Sequence, residues 1–446
     1  MNNLSNKKIL ILGFSVTGIA AAKYFVSQGA DVFISESKAK DDVNTDELSH
    51  LTELGIKVEF LGHSEDFINN SEFCILSPSI PPEAEILEKL KSKNIPYMSD
   101  IEYISKFDKD KMIVTTGTNG KTTTTALISH VLSTKYNAPY CGNIGISPFE
   151  YFDKNVDYYS IEASSYQLFY SPTLTPKIGI FCNLTPDHIL WHKTLENYFE
   201  AKAKMFRNMD ENSYAILNYD DEKLRKLGRE IKAKVYYFSM QDRNMKNCAY
   251  FESNKIYYND EEIIDAKDLK IVGAHNIQNA MCAIITAKII GMTNTEIKNS
   301  LKTFKAIAHR LEYVRTIEGT DYYNDSKATN PEASIVAINS FKDKRVVLIA
   351  GGRDKKTSLT DFVKAIHEKI SKVVLIGEAT QRFKKELSKS GYLNIVNSKT
   401  LEEAIDIASL DRPEVVLLSP ACASFDMFEN YEKRGDAFKD YVLSKK

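Results

Sequence analysis

Short runs of apolar residues alternate along the chain with longer segments in which apolar residues recur every three or four positions. The short runs are typical of buried strands, and the longer periodic segments are typical of amphipathic helices. Strands are predicted at Lys8–Leu12, Asp31–Ser35, Phe73–Leu76, Lys111–Thr116, Tyr158–Ile161, Ile178–Phe181, Arg345–Ala350, Lys372–Ile376 and Glu414–Leu418. Helices are predicted at Ile19–Gln28, Lys121–Lys135, Phe199–Arg207, Asn276–Ile290 and Asn294–Phe304. Strands that alternate with helices indicate the α/β fold class with parallel sheets.

These elements divide the chain into three regions, which we interpret as three domains. Residues 1–98 are expected to form an N-terminal Rossmann-like domain. Residues 99–306 form a central domain built around a glycine-rich loop, and residues 307–446 a C-terminal Rossmann-like domain. A chain of 446 residues has the length of about three ordinary domains.

Composition and charge exclude several classes of protein. Apolar residues make up 43% of the chain, which excludes a disordered or collagen-like protein. The formal net charge of −2 gives no basic field for nucleic acid. No apolar run approaches the ~18 residues of a membrane span, and the run Ile9–Leu12 is too short for a signal peptide. The six cysteines contain no CxxC pair. We therefore expect a cytoplasmic enzyme.

The strongest motif is Thr115-Thr116-Gly117-Thr118-Asn119-Gly120-Lys121-Thr122, between a predicted strand and a predicted helix. Backbone N–H groups and the helix dipole of such a loop bind phosphate. Lys121 would meet the β- and γ-phosphates, and the Thr122 hydroxyl would bind Mg²⁺. The usual P-loop has glycine where this chain has Thr115. The alternative is an ordinary glycine turn, but we expect the central domain to be a P-loop ATPase.

A weaker glycine motif, Gly13-x-Ser15-x-x-Gly18, follows the first predicted strand. Ser15 replaces the glycine that a dinucleotide fingerprint requires, but the helix N-terminus still suits a phosphate. Glu36 follows at the distance expected of an acidic ribose contact. The alternative is that these glycines only allow the strand and helix to pack closely.

Acidic and imidazole groups follow two strands of the central domain. Glu162 comes directly after Tyr158–Ile161, and Asp187 and His188 come after Ile178–Phe181. A carboxylate at a strand's carboxyl end in a P-loop domain is suited to hold Mg²⁺. The alternatives are a solvated loop carboxylate and a structural histidine.

Lys202 falls on the apolar stripe of its predicted helix, which Phe199, Ala203 and Phe206 define, whereas Lys204 falls on the polar face. A lysine facing the core is costly unless it is paired or neutral. A neutral amine can react with CO₂ to give a carbamate, which is an anion that binds metal. The alternative is a lysine whose ammonium group extends to solvent.

Three later segments carry polar groups of weaker significance. Asn276 and Asn279 share one helix face, so their amides could reach a nucleotide, or Asn276 could be only a helix cap. Arg310 could reach back to phosphate, or could be an exposed boundary residue. Asp325–Asn330 is a polar loop before a helix.

Together, and in order along essentially the whole chain, these segments resemble the Mur ligase family of bacterial peptidoglycan synthesis. The resemblance rests on Gly117–Thr122, Glu162–Gln167, Asn183–His188, Ala201-Lys202, Gly273–Asn279, His309-Arg310 and Asp325–Asn330. Ser419–Asp426, leading to Phe428 and Tyr431, resembles the segment of the family member that adds D-glutamate. Glycine is common in the family at Ser79, and aspartate at Glu36.

The resemblance implies roles for individual residues. Catalysis would involve Lys121, Glu162, His188 and Lys202. ATP would be bound by Gly117, Thr118, Asn119, Gly120, Lys121, Thr122, Thr123, Asn276, Asn279, Arg310 and Asp325. Two Mg²⁺ ions would be held by Thr122, Glu162, His188 and carbamylated Lys202. A UDP-sugar would meet Ser15, Val16, Thr17, Glu36, Ser37, Ser77, Asn143, Gln167 and His188. D-Glutamate would meet Thr329, Lys355, Ser424, Phe425 and Tyr431.

The implied reaction is ATP-dependent addition of D-glutamate to UDP-N-acetylmuramoyl-L-alanine through an acyl phosphate, with ADP and phosphate as products. The implied partners are these small molecules, without nucleic acid or membrane, and a monomer is expected. The alternatives are a folylpolyglutamate-type ligase, a P-loop kinase or GTPase-like switch, and a non-catalytic nucleotide-binding protein. A folylpolyglutamate-type ligase usually begins near its P-loop, whereas here about one domain precedes Gly117.

Overall fold

A computed structural model describes residues 4–341, 344–354 and 356–445, which form three separate β-sheets. Lys355, expected to meet D-glutamate, lies outside the described residues. By internal contacts the chain divides into two compact units. One comprises Met1–Ala266 with Gln278–Leu301, and the other Lys267–Ile277 with Lys302–Lys446. The domain boundaries at residues 98 and 306 stay a prediction.

The first sheet is parallel, with the strand order β3-β2-β1-β4-β5. Its elements are β1 (Lys8–Leu12), α1 (Val16–Ser27), β2 (Asp31–Ser35), α2 (Thr45–Glu53), β3 (Lys57–Glu59), α3 (Glu65–Ile68), β4 (Phe73–Leu76), α4 (Glu85–Ser92) and β5 (Tyr97–Met98). Ile9, Leu10, Ile11 and Leu12 are fully buried because helices cover both faces of β1. The chain order β1-α1-β2 places the start of α1 at the carboxyl edge of this sheet.

The second sheet has nine strands in the order β14-β13-β12-β11-β10-β9-β6-β8-β7. Its first elements are α5 (Asp100–Asp108), β6 (Met112–Thr116), α6 (Lys121–Leu132), β7 (Tyr140–Gly142), β8 (Tyr159–Glu162), α7 (Ser165–Phe169), β9 (Ile178–Phe181), α8 (Ile189–His192) and α9 (Leu195–Asn208). The remainder are β10 (Tyr214–Asn218), α10 (Glu222–Glu230), β11 (Lys234–Ser239), β12 (Cys248–Glu252), β13 (Lys255–Tyr258), β14 (Glu261–Asp265), α11 (Ala274–Ile290) and α12 (Asn294–Thr303).

Strand β6 is the seventh of the nine in this order, and it pairs in parallel with β8 on one side and β9 on the other. The carboxyl ends of these three strands therefore open at the same edge, together with the loop that joins β6 to α6. The strands β12, β13 and β14 pair in antiparallel fashion and extend the far side of the sheet.

The third sheet has the order β15-β16-β20-β17-β18-β19. Its elements are β15 (Glu312–Ile317), β16 (Thr320–Asn324), α13 (Pro331–Asn339), β17 (Val346–Gly351), α14 (Thr360–Lys369), β18 (Ile370–Ile376), α15 (Thr380–Lys389), β19 (Ile395–Asn397), α16 (Leu401–Ser409), β20 (Val415–Leu418) and α17 (Tyr431–Ser444). Among the described strands of this sheet, β15 and β16 are the one pair that is antiparallel. The last strand, β20, lies between β16 and β17, so the loops that follow these three strands adjoin.

The predicted α/β fold class is confirmed, with small differences at element ends. The predicted strand Lys8–Leu12 matches β1, and the predicted helix Phe199–Arg207 extends in α9 to Leu195–Asn208. Within the described residues, no helix is long and apolar enough to span a membrane.

Candidate active site

The loop between β6 and α6 has the backbone of a phosphate-binding turn. Gly120 caps α6 in the left-handed region, with a φ of +81°. A Cβ atom at Gly120 would lie 2.7 Å from Asn279 Oδ1, and one at Gly117 would lie 3.0 Å from Cys182 Cβ. The positive φ at both positions, which is +152° at Gly117, and these close approaches therefore favour glycine. The N-terminal amides of α6 give this loop a positive end that suits phosphate.

A second loop, which follows β9, holds the phosphate loop in shape. Asn183 Oδ1 accepts a hydrogen bond from the Asn119 amide at 2.9 Å, and Asn183 Nδ2 donates to the Asn119 carbonyl at 3.1 Å. The Thr118 amide donates to the Asn183 carbonyl at 3.0 Å. The Thr118 hydroxyl donates to the Thr185 carbonyl at 3.0 Å. These bonds fix the loop before any nucleotide arrives.

Lys121, Thr122 and Thr123 begin helix α6 directly after the loop. Lys121 Nζ donates a hydrogen bond to the Thr118 carbonyl at 2.8 Å, so its ammonium group folds back over the loop. The Thr122 side chain is buried. This arrangement places one cation and one hydroxyl at the mouth of the phosphate loop.

Lys202 is buried on the inner face of α9, with 1% of its surface exposed, whereas Lys204 is exposed. The predicted difference between the two lysines is therefore confirmed. Lys202 Nζ donates to the Gly117 carbonyl at 2.9 Å and to Thr116 Oγ1 at 3.2 Å. Burial, and then the charge of Lys121, lower the pKa of Lys202 well below its usual value. The structure thus favours a neutral amine beside the phosphate loop.

Glu162 ends strand β8 and is buried, with 3% exposed. Its Oε1 accepts a hydrogen bond from Asn143 Nδ2 at 2.9 Å. Its Oε2 is buried and has no hydrogen-bond partner among the described residues. A buried carboxylate oxygen without a partner is costly, and a cation would satisfy it.

His188 lies in the loop before α8, with a φ of +53°, and is close to an aromatic cluster. Its Nδ1 is 2.8 Å from the Tyr166 hydroxyl, and its Nε2 is 3.4 Å from Asp187 Oδ2. Tyr166 also stacks on His192 at 5.7 Å between ring centroids. Burial lowers the pKa of His188. Burial lowers the pKa of His192 to about 4.

Six of the residues expected to meet a UDP-sugar lie at the carboxyl edge of the first sheet. Ser15 caps α1 by accepting a hydrogen bond from the Gly18 amide at 3.2 Å. Glu36 is buried and accepts bonds from the Phe14 amide at 2.7 Å and the Ser37 hydroxyl at 3.2 Å. The remaining members of this group are Val16, which is exposed, Thr17, which is half-buried, and Ser77, whose hydroxyl is 3.0 Å from that of Ser79.

Gln167, in α7 of the second sheet's region, forms a side-chain hydrogen bond to the segment that follows the first sheet. Its Nε2 donates to Asp100 Oδ1 at 3.1 Å, and Asp100 also bonds to Thr17. Burial raises the pKa of Asp100. Three side chains that follow different strands are therefore linked at one place. Asn143, which directly follows β7, bonds instead to Glu162 at the end of β8.

Asn276 and Asn279 both lie on α11 and are buried. Asn279 Oδ1 accepts a hydrogen bond from Thr124 Oγ1 at 2.9 Å, which places its amide against the start of α6. Asn276 Nδ2 donates to the Val272 carbonyl at 2.7 Å. Asn279 belongs to the first compact unit and Asn276 to the second.

In the second unit, Asp325 follows β16 and is buried. Its two oxygens accept bonds from the Leu311 amide at 3.1 Å and from Ser419 Oγ at 2.7 Å. Burial raises the pKa of Asp325 to about 7, and the charge of Arg310 acts in the opposite direction. Thr329 ends the same polar loop, and its amide donates to the Lys327 carbonyl at 2.9 Å.

The loop after β20 carries Ser424 and Phe425, and Tyr431 begins α17. Ser424 is buried, whereas Phe425 is 69% exposed. Lys327 Nζ lies 5.2 Å from the centre of the Tyr431 ring. These residues share the edge of the third sheet at which β16, β17 and β20 end.

Three family models match successive parts of the chain. They are described as the MurD-like N-terminal domain of Mur ligases at residues 7–99, the Mur ligase middle domain at 115–287 and the glutamate ligase domain of Mur ligases at 309–422. The UDP-N-acetylmuramoylalanine–D-glutamate ligase of Thermoanaerobacter pseudethanolicus is 39% identical over 98% of both chains. The chain belongs to the Mur ligase family. A ligase of the same name from Caldanaerobacter subterraneus is 38% identical over 99% of both chains.

Solved Mur ligases share this fold at lower sequence identity. The UDP-N-acetylmuramate–alanine ligase of Thermotoga maritima has a TM-score of 0.64 and 20% identity, and the match covers 98% of this chain and all of that one. A pseudomurein peptide ligase from Methanothermus fervidus has a TM-score of 0.58 and 17% identity, over 99% and 100%. These likenesses confirm a Mur ligase fold with N-terminal, middle and C-terminal parts.

As a Mur ligase, the chain is an ATP-dependent enzyme that forms amide bonds, and Mg²⁺ is usual for such chemistry. The oxygen atoms of Glu162 and Thr122 are suitable ligands for this ion. Glu162 Oε2 is a buried acceptor without a partner, and Thr122 supplies a hydroxyl oxygen next to the phosphate loop. Oxygen donors of this kind are those that Mg²⁺ prefers.

Two supporting residues of this Mur ligase were not singled out by sequence reasoning. Asn183 lies two residues after β9, at the same edge of the sheet as Glu162 at the end of β8, but the sequence pattern marked only the segment Asn183–His188. Asp100 could not be identified from the sequence, because its neighbours along the chain do not indicate that it forms a hydrogen bond with Gln167. The roles of the individual site residues stay predictions.

Proposed function

We propose that this chain adds D-glutamate to UDP-N-acetylmuramoyl-L-alanine, with ATP converted to ADP and phosphate, in cytoplasmic peptidoglycan precursor synthesis. The names of relatives that are 36–39% identical over nearly the whole chain support this substrate pair. The structural observation that carries the proposal is the buried amine of Lys202, bonded to the Gly117 carbonyl of the phosphate loop. A nucleotide loop with an adjacent neutral amine suits a ligase of the carbamate-dependent type.

The chemistry begins with activation of a carboxylate, which by itself has no adequate leaving group. The substrate carboxylate attacks the γ-phosphorus of ATP, and the bond from that phosphorus to the bridging oxygen of ADP breaks. The amine of D-glutamate then attacks the acyl carbon, and phosphate leaves. Lys121 lies where two anions must approach, so its charge offsets their repulsion and stabilises the transferring group.

Residues of the first unit would hold two Mg²⁺ ions. Thr122 and Glu162 would bind one, and His188 with carbamylated Lys202 the other. When bound, these ions supply positive charge that offsets the negative charge of the phosphates. Lys202 reaches the carbamate by attack of its neutral amine on CO₂ with loss of one proton. His188 would bind through Nε2, and its Nδ1–H would then donate to the Tyr166 oxygen.

The substrates divide among the three predicted domains. Residues 1–98 would hold the UDP-sugar, residues 99–306 ATP, and residues 307–446 D-glutamate. The UDP-sugar contacts are proposed at Ser15, Val16, Thr17, Glu36, Ser37, Ser77, Asn143, Gln167 and His188. The nucleotide contacts are proposed at Gly117–Thr123, Asn276, Asn279, Arg310 and Asp325. The D-glutamate contacts are proposed at Thr329, Lys355, Ser424, Phe425 and Tyr431.

The alternative of a folylpolyglutamate-type ligase is not favoured. The MurD-like N-terminal match at residues 7–99 and the names of the full-length relatives both point to the D-glutamate reaction. We further propose that the protein works as a monomer on small-molecule substrates.

The test is release of phosphate from ATP with UDP-N-acetylmuramoyl-L-alanine and a panel of D- and L-amino acids. D-Glutamate should support turnover, and the nucleotide product should be ADP. Formation of AMP and pyrophosphate would exclude the acyl-phosphate route. Equal rates with L-glutamate or meso-diaminopimelate would exclude the proposed specificity.

A further inference from the structure

Arg434, in the first turn of α17, is one of the largest fully buried side chains of the protein, with 1% exposed. Its guanidinium group donates four hydrogen bonds, all to uncharged acceptors. They go to Ser326 Oγ and the Ser326 carbonyl at 2.9 Å each, the Cys422 carbonyl at 3.1 Å and the Ala423 carbonyl at 3.3 Å. Burial lowers the pKa of Arg434 to about 10, still well above neutral pH. A cation is thus kept in the interior by carbonyl and hydroxyl oxygens, and the charge of Asp426 also favours it.

The acceptors of Arg434 belong to two different loops at the carboxyl edge of the third sheet. Ser326 follows β16, and Cys422 and Ala423 follow β20. A third loop, after β17, also reaches the guanidinium group, because a Cβ atom on Gly352 would lie 3.1 Å from Arg434 Nη1. The loops after β17 and β20 meet directly, since the Arg353 amide donates to the Ala423 carbonyl at 2.9 Å. Arg434 therefore lies where the three loops converge.

The same three loops carry the residues proposed to meet D-glutamate. Thr329 follows Ser326, Ser424 follows Ala423, and Lys355 follows Gly352 within three residues. Tyr431 is fixed as well, because its carbonyl accepts a hydrogen bond from Ser326 Oγ at 2.8 Å. A change in the spacing of these loops would move Thr329, Ser424 and Tyr431.

Arg434 also sets the orientation of two peptide groups in the loop after β20. The carbonyls of Cys422 and Ala423 both point at the guanidinium group. In a planar trans peptide, the N–H of the next residue points the opposite way. The amides of Ala423 and Ser424 are therefore turned away from Arg434. The Ala423 amide faces Arg353, its partner in an antiparallel bridge. The Ser424 amide can donate to a carboxylate oxygen, and D-glutamate has two carboxylates.

We propose that Arg434 is a positioning residue for the amino-acid substrate, which orients the Ser424 amide and sets the spacing of the loops after β16, β17 and β20. This inference rests on the proposed function, since it takes the third sheet edge as the amino-acid site. If this position only had to fill space in the fold, an apolar side chain would cost less free energy, because a buried charge must be desolvated. The guanidinium group has several N–H donors in fixed directions, and these hold the loops after β16 and β20 in a fixed arrangement.

The experiment compares Arg434→Lys, Arg434→Ala and the control Lys433→Ala, whose side chain is exposed on the same turn of α17. KM is measured separately for D-glutamate, ATP and UDP-N-acetylmuramoyl-L-alanine, together with melting temperature. Both Arg434 variants should raise the KM for D-glutamate about 10-fold or more, as loss of charged hydrogen bonds implies. For the two Arg434 variants, the KM values for ATP and UDP-N-acetylmuramoyl-L-alanine should change less than about 2-fold. All three KM values of Lys433→Ala should also change less than about 2-fold. Millimolar guanidinium should partly restore Arg434→Ala but not Arg434→Lys.

Three results would overturn this proposal: an unchanged KM for D-glutamate, equal increases for all three substrates, or loss of the folded state in both Arg434 variants. The last two would assign Arg434 a general structural role. If the proposed function is wrong, the wild-type enzyme will instead turn over with an amino acid other than D-glutamate. The KM of that amino acid then replaces D-glutamate in the comparison.

Discussion

The side-chain amine of Lys202 donates a hydrogen bond to the carbonyl oxygen of Gly117, 2.9 Å away. This bond joins the inner face of helix α9 to the phosphate loop after β6. Burial and the neighbouring Lys121 both lower the pKa of Lys202, which favours the neutral form of the amine. The bond therefore places this nitrogen at the phosphate loop.

Replacement of Lys202 by Ala should abolish most activity, because no carbamate can form, whereas Lys204→Ala should retain most activity. Lys204 is the matched control, since it lies on the exposed face of the same helix. Turnover at saturating substrates measures the effect, and acetate should partly restore Lys202→Ala by replacing part of the carbamate. Near-normal turnover of Lys202→Ala would contradict the prediction. An unmodified Lys202 in crystals grown with bicarbonate and Mg²⁺ would also contradict it.

Replacement of Lys121 by Ala should lower the rate at least ~10²-fold, by analogy with loss of one preorganised stabilising group. The fixed charge over the phosphate loop is then absent when phosphoryl charge develops. Binding of the UDP-sugar, measured by calorimetry, should change little because six of its nine proposed contacts lie at the first sheet. Parallel loss of UDP-sugar binding would instead indicate unfolding.

Replacement of Asn183 by Ala should weaken ATP binding, because the Asn119 amide and carbonyl lose their partners. Buried polar groups left without partners cost about 1–3 kcal/mol, so the KM for ATP should rise about 10-fold. The control is Asn244→Ala, whose side chain is exposed in the loop before β12. If both variants show the wild-type KM for ATP, the Asn183 side chain does not preorganise the loop.

The buried carboxyl of Asp325 should make the stability of the second unit depend on pH. Its pKa is raised from 3.8 to about 7 in the folded state, so the folded protein binds this proton more tightly than the unfolded chain. The free energy of unfolding therefore falls as pH rises between these two values. Asp325→Asn removes this dependence.

Melting temperatures of wild type and Asp325→Asn, measured from pH 4 to pH 7, test this effect. The stability of the variant relative to wild type should increase with pH, by about 2–4 kcal/mol across the window. Asp440→Asn is the control, because Asp440 is exposed on α17. A constant difference between wild type and Asp325→Asn would show that Asp325 does not titrate in this range.

The sequence by itself predicted the features that depend on neighbours along the chain. The repeat of a helix placed Lys202 among buried residues and Lys204 outside, and both positions are confirmed. The glycine loop after β6 was evident because strand, loop and helix are consecutive. The antiparallel strands β12 to β14 were not predicted, because they are short and partly exposed, so their apolar runs are weak.

Only the tertiary structure decided which distant residues complete the site. Asn183 lies 64 residues after Asn119, yet its amide fixes the phosphate loop. Arg434 lies 108 residues after Ser326, and its burial depends on β20 lying between β16 and β17. Local patterns determine which segments become strands and helices, because propensity and periodicity act over a few residues. The order of strands in a sheet determines which loops meet, and that order is set by packing of the whole domain.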